Sequence, residues 1–441
     1  MYNEFFYIDR NWQISTSTLY DIEPIGLGSI YCESITSFLV RLSELHLIKP
    51  GDLINKVLAP KLKKEYLINS ATFGGNRFYD GAKALNGVSE NSMDLVNVLE
   101  LLTSHRGLIN LTLLKWDKVF TSRGLLKSSL SWCPRCLEEF KTKWGYYYYP
   151  LIWFIKPIRS CTKHNNWLIS ECSSCMKVVP VLHRSSINGL CPYCNEELSN
   201  SQTTQIPDSD MEKENYIVEN ISKLIAFSEN LEYKLNKDII CSKLSHIDEY
   251  YRKECQKSLL EILDVPKATY YYWLRGESIP TLQTITNICY SVGVSLFSFF
   301  FDNTLNPSIT TKKIIRDNVA IERKTIDYFQ LEKTLRTYFH KDIPMSMVAI
   351  AVDINVNKRT LYKAFPDICK ELSKKYQDYT KLKSSERKNE VIQLINKSVK
   401  ELSEQGISTS QKNIENYLSA NALIRENFAK EYLKEMIETF D

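Results

Sequence analysis

From Tyr31 to Pro60 the apolar residues Ile35, Phe38, Leu39, Leu42 and Leu45 recur at the three- and four-residue intervals of one helix face. Pro50-Gly51 interrupts them, and Leu53-Ile54 and Val57-Leu58 resume the pattern, which predicts a small helix-turn-helix. Leu95 to Leu102 has the same period, whereas Leu111-Thr112-Leu113-Leu114 and the apolar run Tyr146 to Ile155 read as strands, the second one buried. That run is about half the ~20 residues a membrane-spanning helix requires and contains Pro150, so no span is expected. Short strands and turns follow to about Leu198. Ser199 to Asn215 is rich in Ser, Thr, Gln and Asp with few large apolar side chains, the composition of a linker. Beyond it the period is overwhelmingly helical, with polar breaks near Asp302 to Thr311 and Lys381 to Lys388.

Those breaks leave three helical blocks. In the first, Leu259, Leu260 and Leu263 close one helix, Asp264-Val265-Pro266 makes a turn, and residues 267–275 form a second helix that Gly276 ends. Trp273 and Leu274 are expected to pack inward, leaving Lys267, Thr269, Tyr270, Tyr271 and Arg275 for phosphates and base edges. Pro280-Thr281-Leu282 opens another helix. The second block repeats the logic with Met345 to Ala351, a turn at 353–356 and a helix from Asn357 to Phe365, which Pro366 stops. Asn357, Lys358, Arg359, Tyr362 and Lys363 suit a groove-facing helix, because Arg and Lys serve guanine and phosphate and Asn serves adenine. The third block pairs a long helix from Val391 with Ser408 to Asn416. For each block the plainer alternative is an amphipathic hairpin whose basic residues are merely solvated.

Composition narrows this picture. With 44% hydrophobic and 24% charged residues the chain is an ordinary globular one, long enough for two to four domains. A net charge of +4 does not itself announce a nucleic-acid binder, so any footprint must come from local clusters. The loops Arg77 to Ser89 and Lys115 to Lys127 are basic enough to track phosphates, although surface solubility explains them too. Met1 to Tyr7 lacks a basic start followed by an apolar run, so no secretory signal is expected.

The twelve cysteines change the picture most. Seven lie between Cys133 and Cys194 in closely spaced pairs, which favours metal ligation in a reducing cytosol over disulfides. The ligand pairs are Cys133 and Cys136, Cys161 and His164, Cys172 and Cys175, and Cys191 and Cys194. Eight donors make two tetrahedral zinc sites with no position left for water, and so structural rather than catalytic. The last two pairs match a C-x2-C-x15-C-x2-C pattern, leaving the first four residues as the other site; an interleaved pairing stays open. His183 is read as a surface or supporting residue, and His46 and His105 as capping or core-edge groups. No phosphate-cradling G-x-x-x-x-G-K-[ST] loop and no H-E-x-x-H motif occurs, so the chain is not expected to be an enzyme.

With their surroundings these residues resemble the TniQ/TnsD family of transposon target selectors. The resemblance rests on Glu23 to Phe38, Leu99 to Thr103, Leu111 to Leu114, Ser131 to Cys136 and the four ordered ligand pairs, and covers roughly residues 20 to 200. The family implies a prokaryotic, cytoplasmic, nucleoid-associated protein that recruits a TnsC-type AAA+ ATPase, which licenses the transposase. Long TnsD-like members bind a double-stranded DNA attachment site directly, and the appended blocks favour that branch. The alternatives are an adaptor on an RNA-guided CRISPR effector complex and a stand-alone zinc-containing transcription regulator.

The expected fold is therefore mainly α with small zinc-stabilised β/loop modules: a TniQ helical region over 1–130, a double zinc finger over 131–200 and a linker over 201–215. A repressor-like helix-turn-helix domain over 216–305, a second over 320–380 and a C-terminal helical domain over 388–441 complete it.

Overall fold

The computed structural model describes residues 17–62, 64, 77–231, 235–263, 265–308, 326–418 and 427–440. Met1 to Tyr7 and Asp264, on which two of the expectations fall, lie outside them. Mostly helical, the chain divides into two compact units, Met1–Arg316 and Asp317–Asp441. Among the described residues no helix is long and apolar enough to cross a membrane.

The first unit has one continuous apolar core running from Leu19 to Leu305. Helix α1, Ile35–Leu45, is capped by Ser34, whose side chain accepts from Ser37 N, and it buries both its apolar stripe and Thr36, Ser37 and Arg41. After the expected break a helical segment runs from Pro50–Asp52 through a π turn at Leu53–Leu58 to Ala59–Leu62. Helix α2, Glu90–Thr103, is capped by Ser89 and packs Leu95, Val96, Leu99 and Leu102 inward. Helix α3, Pro134–Trp144, begins with proline in its first turn, where the missing N–H costs nothing.

Three local expectations are corrected. Leu111 to Leu114 is not a strand but falls across two 3-10 turns, Leu108–Leu111 and Leu114–Trp116. The run is buried from Tyr147 to Ile155, with Tyr146 exposed, yet Leu151–Phe154 is a 3-10 turn flanked only by single bridges at Pro150 and Ile155. The one two-stranded ladder among the described residues pairs β1, Ser160–Cys161, with β2, Asn166–Trp167. In both corrected segments the side chains are buried on all sides, which removes the inside-outside alternation that would have separated strand from turn. Residues 201–215 are not a free linker: Gln205 bridges to Asn166, and α4, Asp208–Phe227, starts within the segment. Glu214, fully buried, receives Arg159 at 2.6 Å and the Ser160 hydroxyl at 2.9 Å.

Helices α5, Asp238–Glu254, α6, Leu259–Ile262, α7, Lys267–Leu274, α8, Leu282–Val292, and α9, Leu296–Phe301, follow. They share the core of the N-terminal region. Trp116 donates its indole N–H to Ser228 Oγ at 2.7 Å and meets Phe300 and Phe301 edge-on, and Phe120 does the same with Phe300.

One buried acid in this core gives a test of pH dependence. Burial pushes the Glu44 carboxyl up to about 7, partly opposed by the backbone N–H of Asn188, which donates to it at 2.8 Å. A raised folded-state pKa means the contribution is full below the ordinary value of about 4.5 and is lost as pH climbs through about 7. Glu44→Gln keeps the acceptor and removes the charge. It is expected to stabilise the chain by roughly 1–2 kcal/mol at pH 8, read as a melting temperature a few degrees higher, with no gain at pH 4.5.

The second unit contains α10, Tyr328–Thr337, α11, Met347–Asp353, α12, Lys358–Ala364, α13, Pro366–Glu404, α14, Gln411–Leu418, and α15, Asn427–Phe440. Two small cores sit along α13. Leu331, Leu335, Met347, Ile350, Leu361 and Leu372 form the first; Val391, Ile395, Val399, Leu402, Ile414 and Leu433 form the second. The expected break at Lys381 to Lys388 is instead the solvated middle of this single helix. No Gly or Pro interrupts it, and Lys383 pairs with Glu386 at 2.8 Å along its surface.

Candidate metal centres and nucleic-acid interface

The eight sequence-predicted ligands gather into two clusters: Cys133, Cys136, Cys161 and His164, and Cys172, Cys175, Cys191 and Cys194. Within each, the donor atoms all lie within 4.8 Å of one another, which removes the interleaved pairing.

In the first cluster Cys133 is the N-cap of α3 and Cys136 lies in that helix's first turn, while Cys161 ends β1 and His164 closes the turn into β2. His164 Nδ1 faces three sulfurs, at 3.4 Å from Cys133, 3.3 Å from Cys136 and 3.5 Å from Cys161, and Cys136 and Cys161 are 3.5 Å apart. A tetrahedron with metal–sulfur and metal–nitrogen bonds near 2.3 and 2.05 Å has edges of about 3.5–3.8 Å, so one ion fits between these donors. The other ring nitrogen, Nε2, lies 3.1 Å from Glu139 Oε1, and Lys163 holds the second carboxylate oxygen. This carboxylate orients the ring and fixes Nδ1 as the metal-facing atom. Glu139 was not singled out by its spacing; only its place one turn after Cys136 could have pointed to it.

The second cluster is two like-built turns. The N–H of Cys172 donates to Lys177 O and that of Met176 back to Cys172 O; Cys191, Glu196 and Asn195 repeat the pair of bonds. Met176 and Asn195, each following the second cysteine of its turn, adopt left-handed backbone with φ of 55° and 62°. Asn165, following His164, does the same at 52°. Cys172–Cys194 and Cys175–Cys191 sulfur distances of 3.6 and 3.7 Å again match tetrahedron edges. Both clusters can hold a metal ion, and in each all four positions are filled by protein. His183 lies outside both, its Nδ1 accepting from Ser185 N. His46 caps α1 and stacks on Tyr20, and His105 meets Asp21 at 2.7 Å.

The expected DNA-facing residues are placed unevenly. On α7, Lys267, Tyr271 and Arg275 are exposed and Thr269 is half-buried, but Tyr270 is completely buried and cannot reach a duplex from this fold. Three consecutive tyrosines give no period, so only packing decides which turns inward. Arg275 is held by Glu277 at 2.6 Å and lies over the exposed Tyr272, a residue the sequence had not singled out. On α12, Asn357 is the N-cap: its Oδ1 accepts from Arg359 N at 2.8 Å, which ties one of the oxygen's two lone pairs to the helix start. Tyr362 is half-buried with its hydroxyl 2.8 Å from Ser373. Lys358, Arg359 and Lys363 are exposed, and Asn357, Arg359 and Lys363 line an open depression of about 820 Å³ with Tyr328, Thr360 and Phe365. Asn355, with φ of 52°, makes the tight turn between α11 and α12.

Residues 24–168 match the family model for the TniQ domain. The matched stretch holds the whole first metal cluster and stops before the second, so it is shorter than the region of resemblance read from the sequence. No curated protein matches the chain.

Proposed function

We propose that this chain, which carries a TniQ domain, is the DNA-binding target selector of a transposon, holding an attachment site with its short exposed helices and recruiting a TnsC-type AAA+ ATPase to direct integration. The TniQ domain fits a transposition-associated DNA-binding adaptor. The finer reading is supported chiefly by α12, where Arg359 and Lys363 stand on one helix face above an open depression with no carboxylate among its described lining residues. Lys267, Tyr271 and Arg275 on α7 offer a second set of contacts. The ions are inferred to be two zinc ions, since closed tetrahedral sets of thiolate and imidazole suit that metal and leave no open position for catalysis. Their role is to fix the loops around α3, β1 and β2.

Binding to fragments of the host genome tests the reading. The purified full chain is expected to enrich one sequence over random duplex. Arg359→Ala with Lys363→Ala is expected to lower that preference by roughly 10- to 100-fold, the loss of one base contact and one phosphate contact. Enrichment of no sequence by the chain alone, together with capture on an RNA-guided effector complex, would favour the adaptor alternative instead.

A further inference from the structure

The bridge between Leu126 and Ile155 lies under two adjoining depressions of about 290 and 410 Å³ that share Leu126, Lys127, Ser128 and Lys156. Its hydrogen bonds, Lys127 N to Phe154 O and Lys156 N to Leu125 O, both at 2.9 Å, set the two lysines on either flank of the bridged pair. Lys83 joins them at one end and Arg159 at the other. Six serines are among the other lining residues, and the described residues of the lining include no Asp or Glu. Lys83 and Lys156 are exposed, and neither they nor Lys127 forms an ion pair with a described residue.

Two exposed lysines, Lys83 and Lys156, flank Lys127 with serine hydroxyls around them, and Arg159, itself held by Glu214, closes one end; together they make a site for an anion. We propose that this trough holds consecutive phosphates of a DNA backbone, as a sequence-neutral contact separate from α7 and α12. Its elongation across two depressions suits a polymer better than a single phosphate. None of its described lining residues reads a base: among them are no aromatic ring to stack on and no Asn or Gln amide, and the guanidinium of Arg159 is held by Glu214 at 2.6 Å and lies over Trp167. Lys127 also carries the mark of a cation lacking its partner. Among the described residues its side chain donates to Ser131 Oγ, and burial pushes the ammonium down to about 7, with Glu214 opposing.

This inference rests on the DNA-binding reading and is tested with the full chain on a random-sequence 30-base-pair duplex, titrated with salt. Lys83→Gln with Lys156→Gln is expected to flatten the slope of log affinity against log salt by about 2 and to weaken binding roughly tenfold at moderate salt. Ser128→Glu, which places a charge in the trough from an exposed position, is expected to weaken binding similarly. Sequence preference and melting temperature should stay those of the parent. A parental slope in both variants would overturn the trough while leaving the α12 reading intact. An effect of these variants alongside a silent Arg359→Ala, Lys363→Ala pair would sink the reader helix and keep the trough. Displacement of the duplex by low-millimolar sodium phosphate, against sodium chloride of equal ionic strength, would assign the site to free phosphate and overturn the backbone proposal. A chain that retards no duplex at all overturns both.

Discussion

Cys136→Ser should purify with one metal ion in place of two and should lose most of the cooperative unfolding of the first unit. Apparent binding of about 10–16 kcal/mol for a structural zinc site is comparable to the whole stability of a domain, about 5–15 kcal/mol. Serine is a poor ligand for this ion. The expected loss is large because the cluster is continuous with the core: Cys133, Cys136 and Cys161 are buried in it, and α3, which carries Cys136 and is capped by Cys133, packs Phe140 against Tyr148 at 4.5 Å. Without the ion, the turn from β1 to β2 is tied to α3 no longer through shared ligands but only through the packing of Leu137 and Phe140 and the bonds that flank the short ladder. Cys289→Ala, at a fully buried thiol outside both clusters, is the control and should cost only about 2 kcal/mol while both ions remain. Elemental analysis and calorimetry decide the matter. Two ions retained in Cys136→Ser, or an unchanged transition, would show that this cluster does not hold the fold.

The metal ligands were legible because their geometry is local: a two-residue gap between donors is a turn wherever it occurs, and only the partner pairs required the fold. Helices α1, α2, α11 and α12 were legible for a similar reason, each being a run of periodic apolar positions, and α7 by the Pro266 and Gly276 that bracket it. What failed depended on contacts between distant segments. Asp208 and Asp210 belong to a polar stretch in isolation, but acids in a first helical turn suit α4, and Glu214 is drawn inward by Arg159, 55 residues away. Lys381 to Lys388 looked like a break because it is polar, yet polar residues without Gly or Pro extend a helix well when nothing needs to be buried. Tyr270 was misplaced for want of any period. The basic trough gathers residues from Lys83 to Ser170, a span no local pattern connects.

The Glu33–Arg41 pair was equally invisible, and Arg41→Ala is expected to cost about 3–5 kcal/mol. In sequence these are one acid and one base on the approach to and body of α1, easily taken for solvated positions. In the fold the Glu33 side chain is fully buried and Arg41 nearly so, with Arg41 Nε donating to Oε1 at 3.1 Å and Nη2 to Oε2 at 2.7 Å. The same Nη2 reaches Glu23 O at 2.7 Å, and Ile25 N and the Ser37 hydroxyl complete the carboxylate's shell. The pair therefore closes residues 23 to 33 onto α1 at the start of the TniQ match. Ser34 N donates to Tyr149 O, Leu151 N to Cys32 O and Tyr149 N to Ser37 Oγ, which carries the closure to the run behind α3. Removing the guanidinium strands a desolvated carboxylate, the costly half of a broken ion pair. Arg41→Lys should recover little, because an ammonium cannot serve both oxygens and the Glu23 carbonyl in the same plane. Removing both charges, as Glu33→Gln with Arg41→Met, should cost less than Arg41→Ala alone, giving a coupling of about 1–3 kcal/mol in a double-mutant cycle by denaturant unfolding. Additive losses in that cycle would mean that the two side chains act separately and that the loop is held by its backbone bonds instead.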